Sequence, residues 1–269
     1  MPERETVDLG ARELAGVEEV LVRACGLSLT SGLGEALRSA VLEAAASLGL
    51  VAAELLDRLR AADRAAIAAL VEHSVVGETY FYRHPEQLAA LQRHLFARPG
   101  PLTVWCAGCA TGEEPYSLAM ALLEGGRAGA GDRILATDVS ERALERARGG
   151  VYGSWSLRRL PAELLGRYLG GDGEARGVVP RVREMVSFAC HNLVTDPPPA
   201  SPFDLVACRN VLIYFDPVVA AAVVYRLLGA VRPGGFLALG PVELSLAAPL
   251  AVEWVEAFGA TLLRRPLGG

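Results

Sequence analysis

An α/β fold with a mostly parallel, doubly wound sheet, preceded by a small helical domain, is what this sequence predicts, on three observations. From Thr103 onward, short apolar runs alternate with helical segments, the rhythm of a parallel sheet crossed by helices. The run Leu102–Met120, LTVWCAGCATGEEPYSLAM, passes from an apolar strand through a small-residue loop straight into a helix. From Ala11 to about Val76, by contrast, apolar residues recur at spacings of three and four.

The helical stretch comes first. Glu35–Leu70 is rich in Ala, Leu, Glu and Arg, the better helix formers, and breaks at Cys25–Gly34 and near Gly49 divide the stretch into several short helices. The connector GETYFYRHPEQL (Gly77–Leu88) then leads into the sheet and is expected to drape over its cleft. Strands are predicted in LTVWCA, RILATDV (Arg133–Val139), MVSFACHN (Met185–Asn192), FDLVACRN (Phe203–Asn210) and GGFLALG (Gly234–Gly240), with ATLLRRP as a last edge strand. Helices are expected at Pro115–Glu124, Glu141–Arg148 and Pro217–Val231. Gly153–Arg183 breaks the rhythm with a short helix (Pro161–Tyr168), a Gly-rich loop (Gly170–Gly177) and VVPRVR, read as a small hairpin. The expected domains are thus 1–76, helical, and 77–269, the sheet, with 153–183 as an inserted β-subdomain.

Size and composition exclude several function classes. The 269 residues are 52% apolar, enough for an ample core. No apolar run reaches the roughly 18 residues of a membrane span. The start, MPERETVDLG, is acidic and polar rather than a signal peptide. Five cysteines (Cys25, Cys106, Cys109, Cys190, Cys208), odd in number and mostly in apolar segments, read as reduced thiols of a cytoplasmic protein. Every one of the 26 basic residues is arginine. Residues 1–76 carry 7 Arg against 12 acids, while the remaining 19 Arg and 19 acids cancel. Nothing forms the basic face that nucleic acid requires. A soluble, cytoplasmic protein, monomeric and without membrane insertion, is the expectation.

Ala107, Gly108, Cys109, Ala110 and Gly112 carry little or no side chain, so a ligand can approach their backbone closely. A phosphate would want the following helix start bare or basic. Glu113 and Glu114 stand there instead, which suits a cationic or hydroxyl-rich ligand such as S-adenosylmethionine. Asp138 ends the second strand, where an acidic tip grips a ribose diol in nucleoside-binding α/β folds. The competing reading makes it a cap for the helix begun by Ser140 and Glu141. Asn192 and Leu193 follow the third strand, and Arg209 and Asn210 the fourth, with Tyr214 about a turn further on. All stand at the carboxyl edge, where open α/β sheets bind ligands. Thr79 and Arg83 in the connector have the character to close on a ligand carboxylate or adenine. Cys106-x-x-Cys109 has metal or redox spacing, but no second pair exists and the four histidines are scattered, so no metal site is expected. Asp196-Pro-Pro-Pro199 lacks the aromatic that would stack on a base and reads as a loop.

Taken together, GETYFYRHPEQL, VWCAGCATGEEPYSLAM, ILATDVSERALERARGGVY and FDLVACRNVLIYFD resemble the CheR-type chemotaxis methyltransferases, collinearly from Gly77 to about Glu243. The resemblance implies a class I, Rossmann-like methyltransferase domain beside a helical N-terminal domain. It implies methyl transfer from S-adenosylmethionine to glutamate side chains of a methyl-accepting chemoreceptor-like protein, with S-adenosylhomocysteine as product. By motif it assigns the cofactor to Gly77, Thr79, Arg83, Ala107, Gly108, Glu113, Glu114, Asp138, Asn192, Leu193, Arg209 and Asn210. It assigns the methyl-transfer end to Arg83, Arg209 and Tyr214.

Three departures qualify it. Gly77 replaces the family's Asn, so that side-chain contact is lost. The family's G-H-S-E turn reads Gly240-Pro241-Val242-Glu243. The stretch GLGEALRSAVLEAAA, which aligns with a basic receptor-facing helix, has one Arg and two Glu. A glutamate carboxylate, with a pKa near about 4.3, is ionised at neutral pH and needs no general base. A non-catalytic, regulatory S-adenosylmethionine binder in a chemosensory complex is the alternative that these departures favour.

Overall fold

The computed structural model describes residues 9–28, 34–129, 131–171, 173–199 and 202–267. It divides into two units: residues 1–76 with 214–219, and residues 77–213 with 220–269.

The first unit holds α1 (Ala11–Cys25), α2 (Gly34–Ser47), α3 (Ala52–Arg60) and α4 (Arg64–Ser74). Their apolar stripes bury Val17, Leu21, Val41, Ala44, Leu55 and Leu70 against one another. Gly26, in the left-handed conformation at φ 83°, stops α1, its N–H returning to the carbonyls of Leu21 and Val22. Asp63 caps α4, accepting from the Ala66 N–H at 2.9 Å. The segment 214–219 joins this unit through backbone. Leu27 bridges Phe215, the Ser28 N–H donates to the Tyr214 carbonyl at 2.8 Å, and the Asp216 N–H to that of Gly26 at 2.9 Å. Part of the expected break at Cys25–Gly34 lies outside the described residues. Among the described residues no single helix is long and apolar enough to cross a membrane.

The second unit is built on a seven-stranded sheet. Its strands are β1 (Thr103–Ala107), β2 (Arg133–Asp138), β6 (Val186–Cys190), β7 (Phe203–Cys208), β8 (Val231–Leu239), β9 (Glu253–Ala257) and β10 (Ala260–Arg264). Their order is β6-β2-β1-β7-β8-β10-β9; the first five are parallel and the last two antiparallel. Chain direction along the order reverses between β1 and β7, which creates a switch point at their carboxyl ends. All six residues of β7 are buried, as a strand covered on both faces requires. Helices α6 (Glu113–Glu124), α7 (Glu141–Gly149) and α11 (Pro217–Ala230) lie between strands in the chain, while α5 (Pro85–Leu91), extended by a turn of π-helix at Gln92–Phe96, precedes β1.

Two expectations need correction. ATLLR is a strand, but an interior one, and the edge belongs to EWVEA. Phe258 and Gly259, at φ 54° and 77°, form the two-residue hairpin that returns the chain onto β8. The charges of β9 hid an edge strand whose face is solvated. VVPRVR is no hairpin: its Val178 ends β5 (Arg176–Val178), and Pro180 opens a helical turn, α10 (Pro180–Arg183). Proline lacks an N–H and fixes φ, which suits a first helical turn. The small antiparallel sheet of this region runs β3-β5-β4 and recruits β3 (Val151–Tyr152) from before Gly153 and β4 (Leu169–Gly170) from after α8 (Ser154–Leu157) and α9 (Ala162–Tyr168).

Candidate active site

The carboxyl ends of β1, β2, β6 and β7 bring most of the predicted residues to one edge of the sheet. After Ala107 the chain turns through Gly108 at φ 78° and Gly112 at φ 96°. A Cβ on Gly108 would lie 2.6 Å from a Val211 methyl, and one on Gly112 would lie 2.8 Å from the Tyr152 hydroxyl and 2.9 Å from Ala147 Cβ. Glycine is therefore required at both positions. The Gly108 and Cys109 N–H groups donate to the Thr137 carbonyl at 2.8 and 2.9 Å.

Asp138 sits at the tip of β2 and holds the loop from the side. Its Oδ2 accepts from the Ala110 N–H at 2.8 Å and its Oδ1 from the Ser140 N–H at 3.0 Å. The cap of α7 is Ser140, whose hydroxyl accepts from Ala143 at 3.0 Å.

The two glutamates that open α6 have protein partners. Glu113 is 2% exposed and accepts from the Ser156 and Thr111 hydroxyls, both at 2.7 Å. Glu114 pairs with Arg209, Nε to Oε2 at 2.8 Å, and accepts from the Cys106 thiol at 3.3 Å. Burial first, and then the Glu114 charge, pushes the Cys106 pKa well above the usual thiol range, so the thiol stays a donor. The cation that meets Glu114 is the chain's own, a pairing across 95 residues of sequence.

Arg209 is the hub. Its Nη1 donates to the Arg83 carbonyl at 2.9 Å and to Gln87 Oε1 at 3.2 Å, and Gln87 in turn donates to the Leu239 carbonyl at 2.8 Å. Its Nη2 is buried and has no hydrogen-bond partner among the described residues. Arg83 itself is tied lightly, through one 3.2 Å bond to the Glu78 carbonyl and a place 5.6 Å from the centre of the Tyr80 ring. Thr79, half-buried, lies in the same connector, and Gly77 is exposed.

Asn210 adopts φ 61°, a left-handed conformation tolerable for Asn. Its Oδ1 lies 3.2 Å from His84 Nε2. Glu243, 1% exposed, braces the whole turn. Oε2 accepts from Gly240 at 2.6 Å and Asn210 at 2.9 Å, and Oε1 from Leu212 at 2.7 Å and Ile213 at 3.3 Å. Sequence reasoning missed this brace, although a Glu three residues after the glycine that precedes a helical turn is a capping signal.

At the next strand end, Asn192 shapes its own loop. Its side chain accepts from Val194 at 2.9 Å, and its N–H donates to Asp196 at 2.8 Å. The Leu193 carbonyl accepts from Arg226. Tyr214 belongs to the helical unit, where its carbonyl accepts from Ser28.

Comparison with known proteins bears on this edge. The CheR methyltransferase, SAM binding domain, family matches residues 77–256. The probable biofilm formation methyltransferase WspC of Pseudomonas aeruginosa is 41% identical over 189 residues, covering 67% of this chain and 44% of that protein. A 104.1 kDa protein of Rhodobacter capsulatus is 38% identical over 191 residues, of which the chain spans 20% of the length. Chemotaxis protein methyltransferase 1 of Pseudomonas aeruginosa is 35% identical over 203 residues, 71% of this chain and 74% of that one. The chain thus spans less than half the length of the first two relatives. With its sheet order and loop, it belongs to the CheR methyltransferase family, and residues 77–256 are its S-adenosylmethionine-binding domain.

Proposed function

We propose that this protein transfers a methyl group from S-adenosylmethionine to glutamate side chains of a methyl-accepting, chemoreceptor-like protein, giving glutamate methyl esters. The observation that carries the reading is the hub at Arg209, buried, paired with Glu114 and holding the Arg83 carbonyl. The residues fit the cofactor: a glycine loop that a Cβ would fill, a carboxylate at the β2 tip, and a buried guanidinium nitrogen without a partner.

When bound, S-adenosylmethionine supplies a methyl group activated by its sulfonium charge. The chain's own residues bind, orient and exclude water. Asp138 grips the ribose, Asn192 and Leu193 flank the adenine, and the Ala107–Gly112 loop gives close backbone approach. Glu113 and Glu114 act at the methionine end by fixing the loop and Arg209. Gly77 contributes backbone alone, beside Thr79. Arg83, the lightly tied cation, orients the incoming carboxylate, while Arg209 and Asn210 hold the segment that presents it. The target glutamate is already ionised, so catalysis is chiefly positioning. Gripping it too tightly would stabilise only the ground state.

The same reading assigns 1–76 as a helical domain, 77–269 as the methyltransferase domain with 153–183 inserted, a cytoplasmic location and a monomer. The test compares two variants at saturating cofactor. Arg83→Ala is expected to cut turnover far more than Asp138→Ala, whose loss appears mainly in cofactor affinity. Equal turnover losses would overturn the division of roles.

A further inference from the structure

We propose that Tyr80, Trp155 and Arg158 form a preassembled docking platform for an acidic segment of the methylated protein, next to Arg83. The proposal rests on the methyltransferase reading and names how that site recognises its substrate. The Arg158 guanidinium lies 4.0 Å from the centre of the Trp155 ring and 4.1 Å from that of Tyr80. Its Nη1 donates to the Trp155 carbonyl at 2.6 Å. Arg83 shares the Tyr80 ring from 5.6 Å, so one aromatic ring links the surface cation to the connector of the active site.

The platform is fixed rather than loose. The Phe81 N–H donates to the Ser156 carbonyl at 2.9 Å, and the Ser156 hydroxyl donates to buried Glu113 at 2.7 Å. Both the connector and the start of α6 are thereby tied to α8. Yet α8 itself buries no residue, and Trp155 remains 66% exposed. A large aromatic side chain held open beside ordered arginines has the composition of an interface anchor. Stacking on rings orders the guanidinium before a partner arrives, which lowers the entropy cost of docking.

Charge selects the partner. Arg158 meets the Glu78 carboxylate at 3.4 Å, Arg83 donates to the Glu78 backbone carbonyl at 3.2 Å, and Arg159 follows next in the chain. Residues 1–76, by contrast, carry 7 Arg against 12 acids, and α2 offers Arg38 between Glu35 and Glu43. An acidic segment therefore finds its cationic surface at the platform. Carboxylates neighbouring the target glutamate would meet Arg158 and Arg159 while the target reaches Arg83.

The test uses the full chain saturated with S-adenosylhomocysteine. Two fluorescent helical peptides are compared by anisotropy, one with its acceptor glutamate flanked by acids and a twin with those flanking acids replaced by glutamine. The acidic peptide is expected to bind at least about tenfold more tightly, with the preference shrinking as salt screens it. Trp155→Ala and Arg158→Ala should each remove about tenfold of that affinity, as loss of an interface anchor does. Neither should change S-adenosylhomocysteine affinity, which also reports that each variant is folded. Equal affinity for the twins, binding of neither, or binding unaffected by both substitutions would overturn the platform. Methyl incorporation into the acidic peptide is read separately. Binding without incorporation would count against the methyltransferase reading alone, and incorporation indifferent to Arg158 would count against the platform alone.

Discussion

Replacing Glu243 with glutamine tests how the active-site edge is built, because the structure gives this buried carboxylate four backbone donors and, among the described residues, no cation. Glutamine keeps one carbonyl oxygen and puts an amide NH2 where the second oxygen was. Two N–H donors then face another donor. In the milder orientation the displaced pair is Leu212 and Ile213; the Ile213 bond is the longest, at 3.3 Å, and that residue is 45% exposed, so water can serve it. In the harsher orientation Gly240 and Asn210 lose their acceptor, and a Cβ position on Gly240 only 3.0 Å from the Asn210 nitrogen shows how little room remains for adjustment. At about 1–3 kcal/mol for each of the two buried donors left unsatisfied, Glu243→Gln should cost about 2–6 kcal/mol. At about 2–4 °C per kcal/mol for a chain of this size, thermal denaturation should fall by about 4–24 °C. The turn carries Asn210 at φ 61°, so calorimetry should also show weaker S-adenosylhomocysteine binding. A loss under about 1 kcal/mol with unchanged affinity would refute the reasoning, since even one unsatisfied donor costs that much.

Three further outcomes follow from the same geometry. Glu114→Gln strands the Arg209 guanidinium, 3% exposed, and should destabilise by about 3 kcal/mol; the double variant Glu114→Gln with Arg209→Met should regain stability but not cofactor affinity, both read by denaturation and calorimetry. Gly112→Ala forces a Cβ against Tyr152 and Ala147 at φ 96°, and a melting temperature within about 1 °C of the parent would contradict the roughly 1–3 kcal/mol expected from such strain. At pH 8, a thiol reagent should modify Cys190, the exposed cysteine, and spare the other four in the folded protein. Burial raises Cys25 to about 11 and puts Cys106, Cys109 and Cys208 well above the usual range, so few thiolates form at that pH. Rapid loss of more than one thiol would count against it.

Much of the sheet was legible because its strands are short apolar runs bounded by turn residues. The β1 loop announced itself through small residues, and Asp138 through its place at a strand tip. Long-range pairings had no local signature. Nothing near Glu114 points to Arg209, and together they convert a supposed ligand-facing carboxylate into one side of a buried ion pair. Glu243 carries a local capping signal, but nothing in the sequence shows its reach across 33 residues to Asn210 or the burial that the Asn210–Ile213 turn requires. Edge strand β9 escaped because Glu253 and Glu256 broke its apolar pattern, and its hairpin turn uses Phe-Gly rather than Asn-Gly. The aromatic stack on Arg158 was equally silent, since Tyr80 and Trp155 lie far apart in the chain.

The most direct test of the central claim is transfer of labelled methyl from S-adenosylmethionine to membranes containing methyl-accepting chemoreceptors, followed by mild base. The account predicts label in a receptor band that base releases as methanol, the signature of a carboxyl methyl ester. Protein shown by calorimetry to bind the cofactor, yet transferring no base-labile label, would contradict it and favour a regulatory binder.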